Sequence, residues 1–482
     1  MKILFGIIKY LFLSLVVSTV IGSIVGGAFF LYFARGLPNI ITTEDYKPLT
    51  VTRVLGKGDV VVGEFYEERR YVVPFEQIPE IASQAFIAAE DDRFFDHHGI
   101  DLQGILRAAF ANFRAGRVVQ GGSTITQQVA KSLLLTPEKS FVRKIREVIL
   151  ANRMEKNLNK KQILYLYLNQ IYLGHGAYGI QAAARVYFNK DVKDLTLAEA
   201  ALLAGMPQAP SAFSPSSNPK KAKERQAYVL RRLMEDGVIN DLQLQEAYRE
   251  PLKVHYPADL NEKYSPYYVE HIRKYVLQKY GRQGVYEKGL LIRTPIEPQL
   301  SIHAMKVVQE GLRTVDKRQG YRGPLKKAKN PKDVAAATQE VAEYNVTKKY
   351  PFKLLLSDGT FAKEVKDRIE TGKSPLDIFS EGELYQAIVT KIDDNKKEVH
   401  VDLGVTTGTI SLAKMKWARL VKEPSPTIPE PIAKPSQTLS KGEGIWVKLV
   451  PMPPTAPPAA PPSATRGLTL QLEQIPLVQG AL

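Results

Sequence analysis

Residues 88–108, AAEDDRFFDHHGIDLQGILRA, decide how the rest of the chain is to be understood. Apolar positions Ile81, Ala85, Ala88 and Ala89 recur at helical spacing up to Glu90, and Asp91, Asp92 and Arg93 follow at once. A carboxylate at the seam between an apolar helix and charged surface loses part of its water. That loss disfavours the charged form, raises the pKa and suits Glu90 to take a proton near neutral pH. The plainer reading of three acids in a row is a solvated helix end with neighbouring ion pairs. His97 and His98, side by side in a chain without cysteine, do not make a metal site and read as structural.

The next block, RVVQGGSTITQQVAKSLLL at 117–135, joins a Gly-Gly turn to hydroxyls, amides and a lysine. Gly121 and Gly122 let backbone approach a ligand, and Ser123, Thr124, Thr126, Gln127, Gln128 and Lys131 supply donors suited to phosphate oxygens. The P-loop pattern is missing, so a nucleoside triphosphate is not the reading. In SFVRKIREVILA, 140–151, Arg143, Lys144 and Glu147 lie one turn apart on a helix. Taken alone they make a surface ion pair worth about 0.3–0.5 kcal/mol. Periodicity predicts helices throughout Pro79–Gln208. Asn159 with Gln162 and Thr196 with Glu199 have capping-box spacing, which makes Glu199 a helix cap rather than a catalytic acid.

A chain of 482 residues exceeds one compact core and divides into about two to four domains. Its net charge of +16 and pI near 9.5 favour an anionic partner: nucleic acid, an acidic membrane surface or a phosphate-bearing substrate. No charge interrupts Tyr10 to Ala34, and these 25 residues at about 1.5 Å each span a hydrocarbon core of roughly 30 Å with some tilt. A cleaved signal peptide would have a shorter apolar region and a small-x-small site before Arg35. Lys2 and Lys9 precede the span, so residues 1–9 stay cytoplasmic and the body crosses the membrane. That location disfavours nucleic acid and favours lipid and cell-wall material.

Elsewhere, Val51–Leu55 and Val60–Tyr66 flank GKGD as a hairpin, and the strands end near Pro74. The chain is basic and helical from Lys220 to about Ser265. In ELYQAIVTKIDDNKKEVHVDLG, 383–404, Val399, Val401 and Leu403 alternate with His400 and Asp402 around a turn within 393–397, which predicts a hairpin in a small β-barrel. The run PMPPTAPPAAPPSAT, 451–465, reads as an extended polyproline loop. No repeat at solenoid periods is present.

Five blocks in order, EDDRFFDHHGID (90–101), GGSTITQQ (121–128), RKIRE (143–147), YLNQIYLGHGAYGIQAAA (167–184) and LTLAEAALLAGMPQAPSAFSP (195–215), resemble the class A penicillin-binding proteins. The resemblance continues through GLLIRTPIEPQL and GLRTVDKRQGYRGP and is nearest to the 1A subtype. It implies a membrane-anchored chain: a single N-terminal transmembrane helix at 10–34, an all-α lysozyme-like glycosyltransferase domain at 45–225, a helical linker region at 226–300, and a β-rich oligonucleotide-binding-like insert within 301–482. It implies polymerisation of lipid II at the outer face of the inner membrane, by inverting transfer with release of undecaprenyl pyrophosphate. On that mapping Glu90 is the general base and Glu147 the second essential carboxylate, near the donor and its pyrophosphate. Ser123, Gln127, Lys131, Arg143 and Lys144 hold or neutralise diphosphate. Asp91, Phe94, His97, Gly121, Gly122, Thr124, Gln128 and Asn169 complete the substrate-binding set. Implied partners are lipid II, lipid-linked glycan strands, the inner membrane and other cell-wall synthesis proteins, with no nucleic acid. A divalent cation, Mg or Mn, would assist the pyrophosphate, though no residue set in the sequence proves one.

Two other readings stand beside this one, a lytic transglycosylase or lysozyme-like hydrolase and an inactive scaffold for wall synthesis. The basic set and the anchor favour the polymerase; intact Glu90 and Glu147 disfavour the scaffold. Transpeptidase chemistry needs Ser-x-x-Lys, then Ser-x-Asn and Lys-Thr-Gly. Ser217 with Lys220 and Ser411 with Lys414 have the first spacing without the others downstream in order. LEQIPLVQGAL at the end resembles the entry to a transpeptidase domain, which predicts a truncated chain with an exposed, unpaired final strand.

Overall fold

The computed structural model describes residues 13, 17–21, 24, 27, 31–116, 121–135, 141–255, 260–328, 330–362, 368–369, 374–420, 430–450 and 467–476. Most of the expected span at 10–34 and all of the proline-rich run at 451–465 lie outside them. Among the described residues no helix is long and apolar enough to cross a membrane.

The body opens on β1 (Thr52–Leu55) and β2 (Val61–Phe65), antiparallel around the GKGD turn as the sequence predicts, and then β3 (Arg69–Arg70). Helices follow: α1 (Glu80–Glu90), α2 (Leu102–Ala115), α3 (Ile125–Leu134), α4 (Phe141–Asn157) and α5 (Lys160–Gln170). After β4 (Ala177–Tyr178) come α6 (Ile180–Phe188), α7 (Leu197–Ala204), α8 (Pro219–Glu235) and α9 (Asp241–Arg249). The region is helical but for β4, which pairs in parallel with β3.

The packing of α1 explains where Glu90 ends up. Its Ala82, Ala85 and Ala88 face Ala198, Ala200 and Ala201 of α7 in a common core, and such small side chains let two helix backbones approach closely. Helix α8 lies across both, with Val229, Leu230 and Leu233 fully buried. This core runs on past residue 225, through Ala247 of α9 and into β5 (Leu252–His255). Both expected capping boxes form, at Asn159 and Thr196, and Glu199 also pairs with Lys190 at 2.7 Å.

Beyond β5 the short α10 (Leu260–Lys263) leads into α11 (Pro266–Tyr286), which buries Val269 and Val276 against β1 and β2. Strand β6 (Leu291–Arg293) then joins β1 in parallel and makes the entrance hairpin a three-stranded sheet. The last part contains α12 (Pro298–Arg318), β7 (Lys326–Lys327), α13 (Pro331–Lys349) and β8 (Phe352–Leu355), the last paired with β5. Five longer strands close a barrel: β9 (Leu384–Asp393), β10 (Glu398–Asp402), β11 (Thr407–Ser411), β12 (Glu443–Leu449) and β13 (Leu468–Glu473). Val399, Val401 and Leu403 are completely buried, as their alternation predicts, and Asn345 of α13 donates to Gln386 O and Leu403 O.

Among the described residues the last strand is paired, not open as the sequence had led one to expect; residues 477–482 of the expected stretch lie outside them. Strand β13 pairs in parallel with β11 and antiparallel with β12, and Leu470 and Leu472 fill the barrel. Alternating leucines gave it an inward face, and closing a barrel removes both edges, so pairing here stabilises more than an open end would.

Candidate active site

A cleft of about 580 Å³ opens where α1 ends. Its walls are Glu90, Asp91 and Asp92, the near side of α2 (Gly104, Arg107), the 121–124 loop, Gln128 of α3, and Arg225, Tyr228, Arg231 and Arg232 of α8 with Gln208.

Glu90 is held from one side only. Its Oε2 accepts a hydrogen bond from Gln128 Nε2 at 2.7 Å, while Oε1 is sealed from water without a partner. Burial pushes its pKa up from the ordinary 4.5, against the opposing pull of Gln128, Arg225 and Lys131. The fully buried Tyr167, whose hydroxyl is also unpartnered, lies in the core beside it and keeps the surroundings apolar. A carboxylate with one unsatisfied oxygen in an apolar wall is a base waiting for a proton donor.

Glu147 has the opposite surroundings. It is buried on α4 and accepts from Arg143 Nε and from Lys144 Nζ, each at 3.0 Å. Lys144 also donates to Ser123 Oγ at 2.8 Å, which ties this ionic cluster to the cleft wall. The spacing seen in the sequence thus becomes one carboxylate clamping two cations beside a glycine-rich loop.

The remaining expected residues divide into those at the cleft and those behind it. Gly121, Gly122, Ser123, Thr124 and Gln128 line it, and Lys131 is exposed on α3. Thr124 is the N-cap of α3, its hydroxyl accepting from Gln127 N and donating to Gly99 O, while the Gln127 side chain accepts from Thr124 N. Asp91 touches the cleft but spends its oxygens inside, on His97 Nε2 at 3.0 Å and Ile125 N at 2.9 Å. Phe94, His97 and Asn169, expected at the substrate, lie in the interior instead. The Phe94 ring sits under the Lys160 ammonium, and Asn169 clasps both backbone groups of Val73. Phe94 and His97 brace the loop that follows Glu90, and Asn169 holds the segment that precedes α1. Gly99 belongs to the same brace: it has a φ of 87° and a Cβ there would come within 2.9 Å of the Ala151 carbonyl group.

The reading of the sequence missed Arg107, Arg225, Arg231 and Arg232, which make the opposite wall cationic. The only trace of the last three was the basic, helical character noted from Lys220 onward.

Residues 58–234 match the family model described as Transglycosylase, and residues 359–478 match the Penicillin-binding protein OB-like domain. Penicillin-binding protein 1A of Aquifex aeolicus (strain VF5) is 39% identical over 395 residues, 81% of this chain and 53% of that protein. Penicillin-binding protein 1A of Vibrio cholerae is 32% identical over 442 residues, 92% of this chain and 50% of that one. The chain thus carries a Transglycosylase domain followed by a penicillin-binding protein OB-like domain and is similar to penicillin-binding proteins 1A over most of its length. Against a crystal structure of penicillin-binding protein 1A from Haemophilus influenzae the alignment covers 89% of this chain and 45% of that one, with a TM-score of 0.46 and 22% identity. The chain spans about half the length of the curated relatives it matches.

The cleft does not fit a divalent cation held by protein carboxylates. Asp92 is taken by Arg107 and Arg232, Asp101 by Arg93, and Glu235 by Arg232. Among the described residues no group of three or more His, Asp or Glu is placed to hold a metal ion.

Proposed function

We propose that this chain polymerises lipid II into glycan strands by inverting glycosyl transfer. The observation that carries the reading is the one-sided carboxylate Glu90, at a cleft whose opposite wall carries Arg107, Arg225, Arg231 and Arg232. The 4-hydroxyl of an incoming lipid II GlcNAc gives its proton to Glu90 as its oxygen bonds to C1 of the lipid-linked strand. The bond from C1 to the diphosphate oxygen breaks on the opposite face, and its electron pair leaves with undecaprenyl pyrophosphate. Charge therefore builds on a diphosphate, and Arg143, Lys144 and the donors of the 121–124 loop are of the type that stabilises it. Inversion needs two carboxylates with different tasks, and the different surroundings of Glu90 and Glu147 suit that division.

The same proposal places the body at the outer face of the inner membrane. Apolar side chains of α2 and the start of α4 stand in solvent: Leu106 is 72% exposed, Phe110 69%, Phe113 88% and Phe141 80%. An apolar patch of this kind beside a cleft for a lipid-linked substrate supports contact with lipid. Partners among other wall-synthesis proteins belong to this reading as well.

Purified full chain in detergent, given lipid II, is expected to extend glycan strands, and Glu90→Gln is expected to lower the rate about 100-fold to 10,000-fold while staying folded. A variant that keeps more than a tenth of the rate would remove Glu90 as base. Release of reducing ends from finished glycan without chain growth would replace the polymerase by a lytic enzyme.

A further inference from the structure

We infer that Asp92 is a built-in counter-anion, which occupies Arg107 and Arg232 until a diphosphate displaces it, and so sets how strongly an anion must bind to enter the cleft. The inference rests on the polymerase reading for the identity of the anion, not for the existence of the ionic bridge.

Asp92 lies two residues after Glu90 and lines the cleft. Its Oδ1 accepts from Arg107 Nη2 of α2 at 2.9 Å, and its Oδ2 from Arg232 Nη2 of α8 at 2.6 Å. These two guanidiniums hold its carboxyl below the ordinary carboxylate range, although burial works the other way. One carboxylate therefore bridges two helices across the mouth of the site. Arg232 also pairs with Glu235 at 2.7 Å and lies 3.8 Å from Asp236, so it stays in place when Asp92 lets go. Helix α2 buries only Gly104 and Ala108, and the Arg107 bridge is one of its ties to this wall.

A diphosphate brings more charge and more acceptor oxygens than one carboxylate and can satisfy both guanidiniums in forked geometry. While Asp92 sits between them, its like charge opposes that entry. The arrangement resembles the cluster of Glu147 with Arg143 and Lys144: in each, one carboxylate bridges two cations. Weaker anions are turned away by both, and neither cation pair is left to repel itself in the empty enzyme.

Inorganic pyrophosphate, titrated calorimetrically into the full chain, tests this without turnover. Asp92→Asn is expected to tighten binding roughly tenfold, and Arg232→Gln to weaken it. Asp92→Ser repeats the measurement with a side chain too short to bridge both arginines, should the asparagine variant fold poorly. Unchanged or weaker binding in a folded Asp92 variant would overturn the inference. Tighter binding in a protein that fails to extend lipid II would leave it standing and remove the polymerase reading instead.

Discussion

Glu147 is buried and Glu90 part-buried at the cleft, and the surroundings of these two carboxylates of the helical domain are opposed. Glu90 has a neutral amide on one oxygen and nothing on the other, whereas Glu147 carries two cations at 3.0 Å. The difference separates a group prepared to receive a proton from one that fixes positive charge. Burial of an unpaired carboxylate is costly and is retained where chemistry uses it; burial of a paired one orders its partners.

The largest expected separation between the two is in rate against stability. Glu90→Gln is expected to lose activity without losing fold, while Glu147→Gln is expected to lose both, with unfolding easier by about 1–3 kcal/mol because two cations lose their counter-charge. The range is kept low because Lys144 is about half exposed and water recovers part of the loss. Equal melting of Glu147→Gln and wild type would break the comparison. Next in size, Thr124→Ala removes the cap that aims α3, and about 1 kcal/mol of stability is expected to go with it in chemical denaturation.

Two finer tests use pH. Glu90 must be ionised to act as base and its pKa is raised, so the acid limb of kcat/KM is expected above the ordinary carboxylate value of 4.5. Gln128 donates to the ionised form, and Gln128→Ala is expected to move that limb to still higher pH. A limb that stays put would show that Gln128 does not set the base. The same shift has a stability consequence: with the folded pKa above the unfolded one, the folded state gives up its proton at a cost once pH exceeds the unfolded value. Glu90→Gln is therefore expected to melt higher than wild type at neutral pH, with the gain gone below the ordinary carboxylate pKa.

Much of this site was legible in local spacing. The seam at Glu90 and the clamp of Arg143, Lys144 and Glu147 follow from helical periodicity, because residues three and four apart share a face. The roles of Phe94, His97 and Asn169 were not, since whether a side chain faces a cleft or a core depends on what packs over it. His97 turned inward to Asp91, and Asn169 to the backbone of Val73, 96 residues away. The arginines of α8 were equally hidden, as nothing near residue 225 in sequence tells which wall it will complete.

By itself the sequence determined the helical run of 79–208, the capping boxes at Asn159 and Thr196, the 383–404 hairpin and the seam at Glu90, all of which rest on contacts within a few residues. Tertiary structure decided the rest: β6 returning to β1, β13 closing the barrel, and α8 bringing Arg232 to Asp92, 140 residues away. Local patterns record which face of an element is apolar; they do not record which distant element will cover it, because that choice is made by shape and charge once the whole chain has packed.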